Sequence, residues 1–474
     1  MRWLILILFL LQGCAALKKR KHEPQVKETV EVSQTIDSAL ATPDFEEGQW
    51  PAYNWWTLFD DDQLNQIMDE AIENNPNLMA AVSRLRSSQE EANKVRSRLI
   101  PQLSATFDDN YQHLSKDDLY RFPPSRVPAV VNEVTLGLNF EYEIDLFGKN
   151  RNLYWAAMGQ ARAQAAETAQ SLLIITTSLA EAYFNYSANL LNLQVSCDMV
   201  EAQKTYLELT EMRMANGLDD QMRVDQAAAD LLEMEEFVTL YEVEVEVNTT
   251  QIKVLMGLSP DDSRTIEKPS ASFDRPFPLP DNIPVNLLAR RPDLMAQIWT
   301  VEAAAHLINA AKAAFFPNIN LSAFAGFATL SWSNLFTHNS FAGSLNPAIN
   351  LPLFTGGRLS AQLGQEYANY DAAVHNYNSL ILQAAKEVVD RVKILEGASE
   401  EVRLQSAVLD RVINVSDLTY QRYENGVDDY LTVLEKQIGV MKQGIKEVGI
   451  QNKRHLAAVQ LVQSLGGGYY GSEP

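Results

Sequence analysis

Residues 134–146 read VTLGLNFEYEIDL, and every second position is apolar. Val134, Leu136, Leu138, Phe140, Tyr142, Ile144 and Leu146 share one side; Thr135, Gly137, Asn139, Glu141, Glu143 and Asp145 take the other. Alternation with period two over such a length predicts a strand with one apolar and one polar face. Gln102 to Gln112 alternates similarly, with Leu103, Ala105, Phe107 and Tyr111 opposite Ser104, Thr106, Asp108 and Asn110. Two later runs do the same: Ile319, Leu321, Ala323, Ala325 and Phe327, then Ile349, Leu351 and Leu353 against Asn350 and Pro352. In a soluble protein the apolar face packs on a core. In a membrane barrel it meets lipid while the polar face lines water.

The four runs fall into two copies of one unit. Asn75-Pro76-Asn77-Leu78-Met79-Ala80 matches Arg291-Pro292-Asp293-Leu294-Met295-Ala296, 216 residues on. Arg213-Met214-Ala215-Asn216-Gly217 matches Arg422-Tyr423-Glu424-Asn425-Gly426 at 209, and Met256-Gly257 matches Leu465-Gly466 at 209 again. Each copy reads as a helix of about 23 residues, two strands, a helix of about 67 residues, a Gly turn and a helix of about 40. The long helices are Asn150 to Asn216 and Arg358 to Asn425, about 100 Å each at 1.5 Å per residue. The short and final helices together nearly equal the long one, so stacked end to end they can run beside it.

The N-terminus places the chain. Met1-Arg2 precedes an apolar run from Trp3 to Leu11 and then Gln12-Gly13-Cys14, the parts of a secretory signal. The run is too short to span the roughly 30 Å of hydrocarbon as a helix. Leu11-Gln12-Gly13-Cys14 resembles a bacterial lipobox, which implies lipidation of Cys14, and Ala15 after it implies the outer membrane. Cys197 is then the remaining cysteine, which excludes a disulfide framework and suggests a small core residue. With 39 basic against 61 acidic residues, net charge −22, the chain lacks the basic footprint of a nucleic-acid binder. Its mean hydropathy of −0.18 resembles that of a soluble protein. The lipid anchor, the strand lengths and the missing transmembrane helix outweigh that impression. Four strands do not close a barrel with a lumen, and open edges are forbidden in lipid, so if the strands span the membrane several chains must share one barrel.

Six segments follow. Residues 1–13 are a lipoprotein signal peptide, 14–54 a lipid-anchored tether, and 55–257 the first repeat. Residues 258–284, with six prolines, are a linker or equatorial segment; 285–466 are the second repeat and 467–474 a weakly ordered tail.

Several motifs resemble those of the TolC/OprM outer membrane factors, in particular the lipoprotein branch of drug-efflux channels (NodT-like). They are Trp55-Trp56-Thr57-Leu58-Phe59-Asp60, Leu288-Ala289-Arg290-Arg291-Pro292-Asp293-Leu294, Ala314-Phe315-Phe316-Pro317, Leu351-Pro352-Leu353-Phe354-Thr355-Gly356-Gly357-Arg358 and Tyr423-Glu424-Asn425-Gly426-Val427-Asp428-Asp429-Tyr430-Leu431. The resemblance implies a mixed α and β membrane protein of two tandem repeats. Its homotrimer would form a 12-stranded outer-membrane β-barrel, four strands per chain, continued by a long periplasmic α-helical barrel. It implies an exit duct of a tripartite efflux pump, with a periplasmic adaptor (membrane fusion) protein and an inner-membrane pump of the resistance-nodulation-division type. No cofactor is implied.

Carried over by position, Asn216-Gly217-Leu218 and Asn425-Gly426-Val427 become hairpin tips that meet the adaptor. Leu431 and Glu435 match the narrowest point, where threefold symmetry makes rings of apolar and acidic side chains; close carboxylates repel one another and attract cations. The family usually has Asp where Glu435 stands. Where it often has an acid after the first tip this chain has Arg223, and where a base often follows the second it has Asp428. A charge-swapped latch between neighbouring hairpins, Arg223 to Asp428, follows as a hypothesis.

Catalytic chemistry is absent from the sequence. There is no Walker A sequence and no Gly-x-Ser-x-Gly; the six His lack metal-ligand spacing, and Gly466-Gly467-Gly468-Tyr469-Tyr470-Gly471 opens no helix. Asp60-Asp61-Asp62 reads as a solvated loop. Two alternatives remain: a channel for protein secretion of type I, and a non-conducting periplasmic coiled-coil scaffold. The strand at 134–146 speaks against the scaffold.

Overall fold

A computed structural model describes residues 23–470 except 28, 116, 118–127, 272–275 and 281–289. Cys14 and the signal segment lie outside the described residues. Eight helices and six strands are used below. They are α1 Ser33–Leu40, β1 Phe45–Glu47, α2 Asp62–Asn74, α3 Pro76–Arg96, β2 Gln102–His113, β3 Val130–Ile144 and α4 Lys149–Ala215. Then follow α5 Gln221–Leu255, β4 Phe277–Leu279, α6 Pro292–Ala313, β5 Asn318–Thr329, β6 Phe341–Asn350, α7 Arg358–Glu424 and α8 Tyr430–Ser464. Both long helices have 67 residues, while the final helices have 35 each rather than about 40.

The chain divides into two compact units that cut across the sequence repeat. One contains Leu85–Gln164 and Gln297–Tyr377; the other contains Lys27–Arg84, Ala165–Ala296 and Asn378–Pro474.

The first unit holds a four-stranded antiparallel sheet in the order β2-β3-β5-β6. Three strands lie where the alternation places them. The fourth is shifted: β6 ends at Asn350, and Leu353 lies in the turn before α7. Pro352, which offers no N–H to a ladder, and Gly356-Gly357, both with positive φ, end the extended run there. Beside the sheet, α4 approaches α6 closely at Gly159, where a Cβ would stand 3.0 Å from that of Ala303. Ile308 and Ala311 of α6 pack on Leu363 of α7.

The second unit is built of long helices whose buried stripes follow steps of three and four. In α4 the stripe is Asn192, Ser196, Met199, Gln203 and Thr210; in α5 it includes Val224, Ala227, Met234, Asn248 and Ile252. That is the spacing of coiled-coil seams. Met199, Met234 and Ile438 of α8 form one cluster, flanked by Val195, Met441 and Ile445. Gln203 donates to the carbonyl of Ala227 at 3.0 Å and so pins the α4–α5 register. Cys197 is exposed, contrary to the core placement expected for it. It follows Ser196 by one residue, and one residue turns a side chain about 100° off the buried stripe.

Three more expectations change here. Residues 29–54 are more than a tether, because Val32, Ile36, Ala39 and Phe45 are buried and β1 pairs in parallel with β4. The described part of the tail, 467–470, is packed on the rest of the chain. Gly467 lies on Leu173, Gly468 on Ala52, and the ring of Tyr470 stands 4.4 Å from the Arg290 guanidinium. Asp61 is buried rather than solvated. Its carboxylate caps α2 through Leu64 N (3.0 Å) and accepts from Tyr183 Oη and Ser270 N, both 2.9 Å. Burial, first of all, pushes the Tyr183 phenol well above its ordinary range, and Asp61 adds to the rise.

Each copy joins its final helix to its short helix by the same device with different chemistry. In the first, Asn75 donates to the carbonyl of Leu255 at 2.7 Å, and a Cβ on Gly257 (φ 81°) would meet Asn74 O. In the second, Arg291 donates to Ser464 O at 3.1 Å, and Gly466 (φ 92°) presses on Arg290 O. Arg291 also grips Asp293 (2.7 and 3.0 Å) and Glu387 (2.9 Å). Burial opposes its charge, but the two carboxylates outweigh that and hold its pKa above the usual guanidinium value.

Candidate functional site

Two places carry the functional chemistry: the faces of the sheet and the two helical hairpin turns. The register puts directly opposed residues on one face. Leu103 opposes Phe140, Phe107 opposes Leu136, Leu138 opposes Ala325, Ile144 opposes Ile319 and Ile319 opposes Ile349. This face is apolar and unusually open; Leu103 is 68% exposed, Leu345 68% and Ile349 73%. The other face pairs Ser104 with Asn139, Thr106 with Gly137, Glu141 with Ser322 and Ser322 with Asn346. Asn139 donates to Thr106 Oγ1 across it at 2.8 Å. A wide apolar surface backed by a polar one is what a lipid-facing wall requires.

The hairpin turns are copies of one another. Gly217 (φ 73°) and Gly426 (φ 70°) take the left-handed conformation after α4 and α7, and the residues after them close the helices. Leu218 N donates to Arg213 O and Val427 N to Arg422 O, both at 2.9 Å. Asp220 and Asp429 then cap α5 and α8. Across each turn an arginine reaches an aspartate: Arg213 Nε to Asp219 at 2.6 Å, Arg422 Nε to Asp428 at 2.6 Å. These hydrogen bonds hold Asp219 and Asp428 below the usual carboxylate range. Arg213 lies 3.5 Å from Asp429 as well, tying the first tip to the second.

A family model described as outer membrane efflux protein matches residues 67–258 and 283–467. The chain belongs to the outer membrane efflux protein family. Among its relatives is the fusaric acid resistance protein FusA of Burkholderia cepacia, 32% identical over 358 residues, 75% of this chain and 67% of that one. Another is the multidrug resistance outer membrane protein MdtP of Escherichia coli K12, 26% identical over 466 residues, 97% and 94% of the two chains. Among solved structures, the outer membrane protein VceC of Vibrio cholerae is 31% identical with a TM-score of 0.80, covering 89% of this chain and all of that one. The CmeC outer membrane channel of Campylobacter jejuni shares the fold at TM-score 0.83 and 21% identity, over 97% and 95% of the chains.

In this efflux-family chain the tip residues Asn216, Gly217, Leu218, Asn425, Gly426 and Val427 lie at the turns, with Leu218 66% and Val427 62% exposed. The other named residues divide differently. Leu431 is buried, one heptad before Ile438 on the stripe that packs on Met199 and Met234. Glu435 is exposed, and its carboxylate lies 3.1 Å from Lys436. Arg223 and Asp428 are not brought together within the chain. Asp428 is held by Arg422; Arg223 lies 3.4 Å from Asp219, and a hydrogen bond with Tyr206, followed by the Asp219 charge, holds its pKa up. The arginines that staple the turns, Arg213 and Arg422, were missed. Their signal was available, since Arg-x5-Asp recurs at the repeat offset of 209.

Proposed function

We propose that this chain is the outer-membrane exit duct of a tripartite efflux pump, conducting small molecules passively across periplasm and outer membrane. The observation that carries the reading is the four-stranded sheet, apolar on one face and polar on the other, with β2 and β6 as edges that pair with no other strand among the described residues. Unpaired edges are excluded from lipid, so the sheet closes with copies of itself. The family likeness favours three copies and twelve strands, continued by a helical barrel.

Two further seams support the homotrimer. Leu240, Val243, Val247 and Val254 on α5, and Leu404, Val408, Val415 and Leu418 on α7, keep heptad spacing yet remain exposed in the single chain. We assign them to neighbouring subunits. The exposed apolar tips Leu218 and Val427 suit an adaptor protein, which would link the duct to an inner-membrane pump of the resistance-nodulation-division type. Export as small molecules, rather than protein, follows the drug-resistance names of the relatives. Cys14 is the proposed lipid anchor. Glu435 is the proposed carboxylate of the periplasmic gate with Leu431 packed behind it. An Arg223–Asp428 latch between subunits would require both residues to exchange their partners within the chain.

The test is conductance of the purified protein in a planar bilayer, with cross-linking of its oligomer. Discrete channels from a trimer support the reading. A non-conducting trimer or a soluble monomer overturns it.

A further inference from the structure

The polar face of the sheet carries one aromatic side chain among the described residues, Phe324, paired opposite Asn139 on one side and Ser344 on the other. Its ring tip lies over Gly137: a Cβ there would stand 2.4 Å from Phe324 Cε2 and 2.6 Å from Cζ. Gly137 faces Gly326 directly, and neither site leaves room for a side chain. The two glycines thus form a shallow seat that holds the ring against the wall, while Phe324 stays half-exposed on its other side. The surroundings are polar and mainly acidic, with Glu143 at one end of the sheet paired to Lys149 at 2.6 Å. Ser322, Ser344, Asn139 and Thr106 neighbour it through the register, and Glu141, Glu143, Asp108 and Glu133 share its face. The four strands contain no Lys or Arg at all.

We infer that Phe324 is a cargo-contact residue in the bore, selective for planar aromatic cations. The inference rests on the reading that this face lines water. An aromatic ring presents a negative face to a cation and a flat surface to another ring. Carboxylates on the same wall raise the local concentration of cations and leave anions without a partner. The seat matters as much as the ring. With Gly137 and Gly326 beneath it, the side chain offers a contact while taking little width from the bore.

The experiment is single-channel recording of the purified full-length protein in potassium chloride, with ethidium as the aromatic cation and magnesium, which keeps its hydration shell, as the cation that cannot lie on a ring. Ethidium is expected to interrupt the current, and Phe324→Ala and Phe324→Leu to shorten each interruption about fivefold, the factor that a cation–π contact of roughly 1 kcal/mol produces. Phe324→Leu keeps bulk over Gly137, so its effect reports the aromatic ring rather than packing. Phe324→Tyr is expected to restore the wild-type interruption, and the effect of magnesium on the current to be indifferent to all three changes. Absence of ethidium block in conducting wild-type channels, block unchanged in the Ala and Leu variants, or an equal change in the effect of magnesium overturns the inference. Those results leave the channel reading intact, whereas a wild-type protein that conducts nothing overturns the channel reading itself.

Discussion

The guanidinium of Arg422 closes on the carboxylate of Asp428 through two hydrogen bonds, of 2.6 and 3.0 Å, across the glycine turn that ends the longest helix of the second repeat. Arg213 and Asp219 make the corresponding contact across the first turn. A reversal between helices of 67 and 35 residues leaves terminal carbonyls and N–H groups unpaired. Here the Gly turn satisfies the carbonyls, the capping Asp satisfies the N–H groups, and the ion pair locks one side of the turn to the other.

The staple has a defined pH window. Arg422 depresses the folded-state pKa of Asp428, so its contribution is present above the unfolded carboxylate value and is lost as pH falls through the lower folded value. Hydrogen exchange of residues 420–430, corrected for intrinsic rates, is therefore expected to be alike at neutral and mildly acidic pH. Asp428→Asn is expected to speed it at both. Equal protection in the variant and the wild type would remove the staple from the account.

The two junctions between final and short helices differ in chemistry, and their removal separates accordingly. Arg291→Ala removes the buried guanidinium that joins Asp293, Glu387 and Ser464 O; the two carboxylates are partly exposed and keep bonds from Leu294 N and Gln383, so the cost is expected at the lower end of the about 3–5 kcal/mol for breaking a buried ion pair. Asn75→Ala removes the bond to Leu255 O together with the caps on Asn77 N and Leu78 N, all of them neutral, and costs about 1–3 kcal/mol. Thermal unfolding followed by circular dichroism checks the order, which should be Arg291→Ala below Asn75→Ala below wild type.

Glycine substitutions sort by space. Gly466→Ala forces a Cβ onto Arg290 O at positive φ, so assembly of the C-terminal segment is expected to fail. Gly426→Ala meets nothing within 4 Å and pays only the left-handed backbone strain, roughly 1–2 kcal/mol. Yield of folded oligomer on native gels distinguishes them.

The acidic wall predicts ion selectivity. In a salt gradient the reversal potential is expected to favour potassium over chloride, and Glu141→Lys to reduce that preference. A reversal potential unaffected by Glu141→Lys would place Glu141 away from the conducting path.

The unpartnered α7 seam predicts assembly. Leu404→Asp together with Val408→Asp puts charge into the seam assigned to the neighbouring subunit, and mass measurement in detergent is expected to show monomer. A persisting trimer would assign the contact elsewhere.

Much of this was legible in the residues because it depends on local period. Residues 134–146 declare a two-faced strand, and long stretches free of Pro declare helices whose observed length of 67 residues matches the reading. The repeat offset exposed both tips. Other features depend on which of two similar neighbours turns inward. Leu431 and Glu435 stand four apart on one helix, yet the first is buried and the second exposed, because α8 packs on Met199 and Met234. Cys197 and Ser196 are adjacent, and the seam takes the serine.

By itself the sequence determined the elements, their order, their duplication and the two characters of the sheet, since these follow from the spacing of apolar side chains along one chain. Only the tertiary structure decided which faces are used. The seat that Gly137 and Gly326 make for Phe324, the docking of Gly466–Gly468 on Arg290, Leu173 and Ala52, and the pairing of Arg422 with Asp428 rather than Arg223 all depend on distances between segments. Those distances are set by packing in three dimensions, where a shift of an ångström changes the partner and a periodic pattern carries no such information.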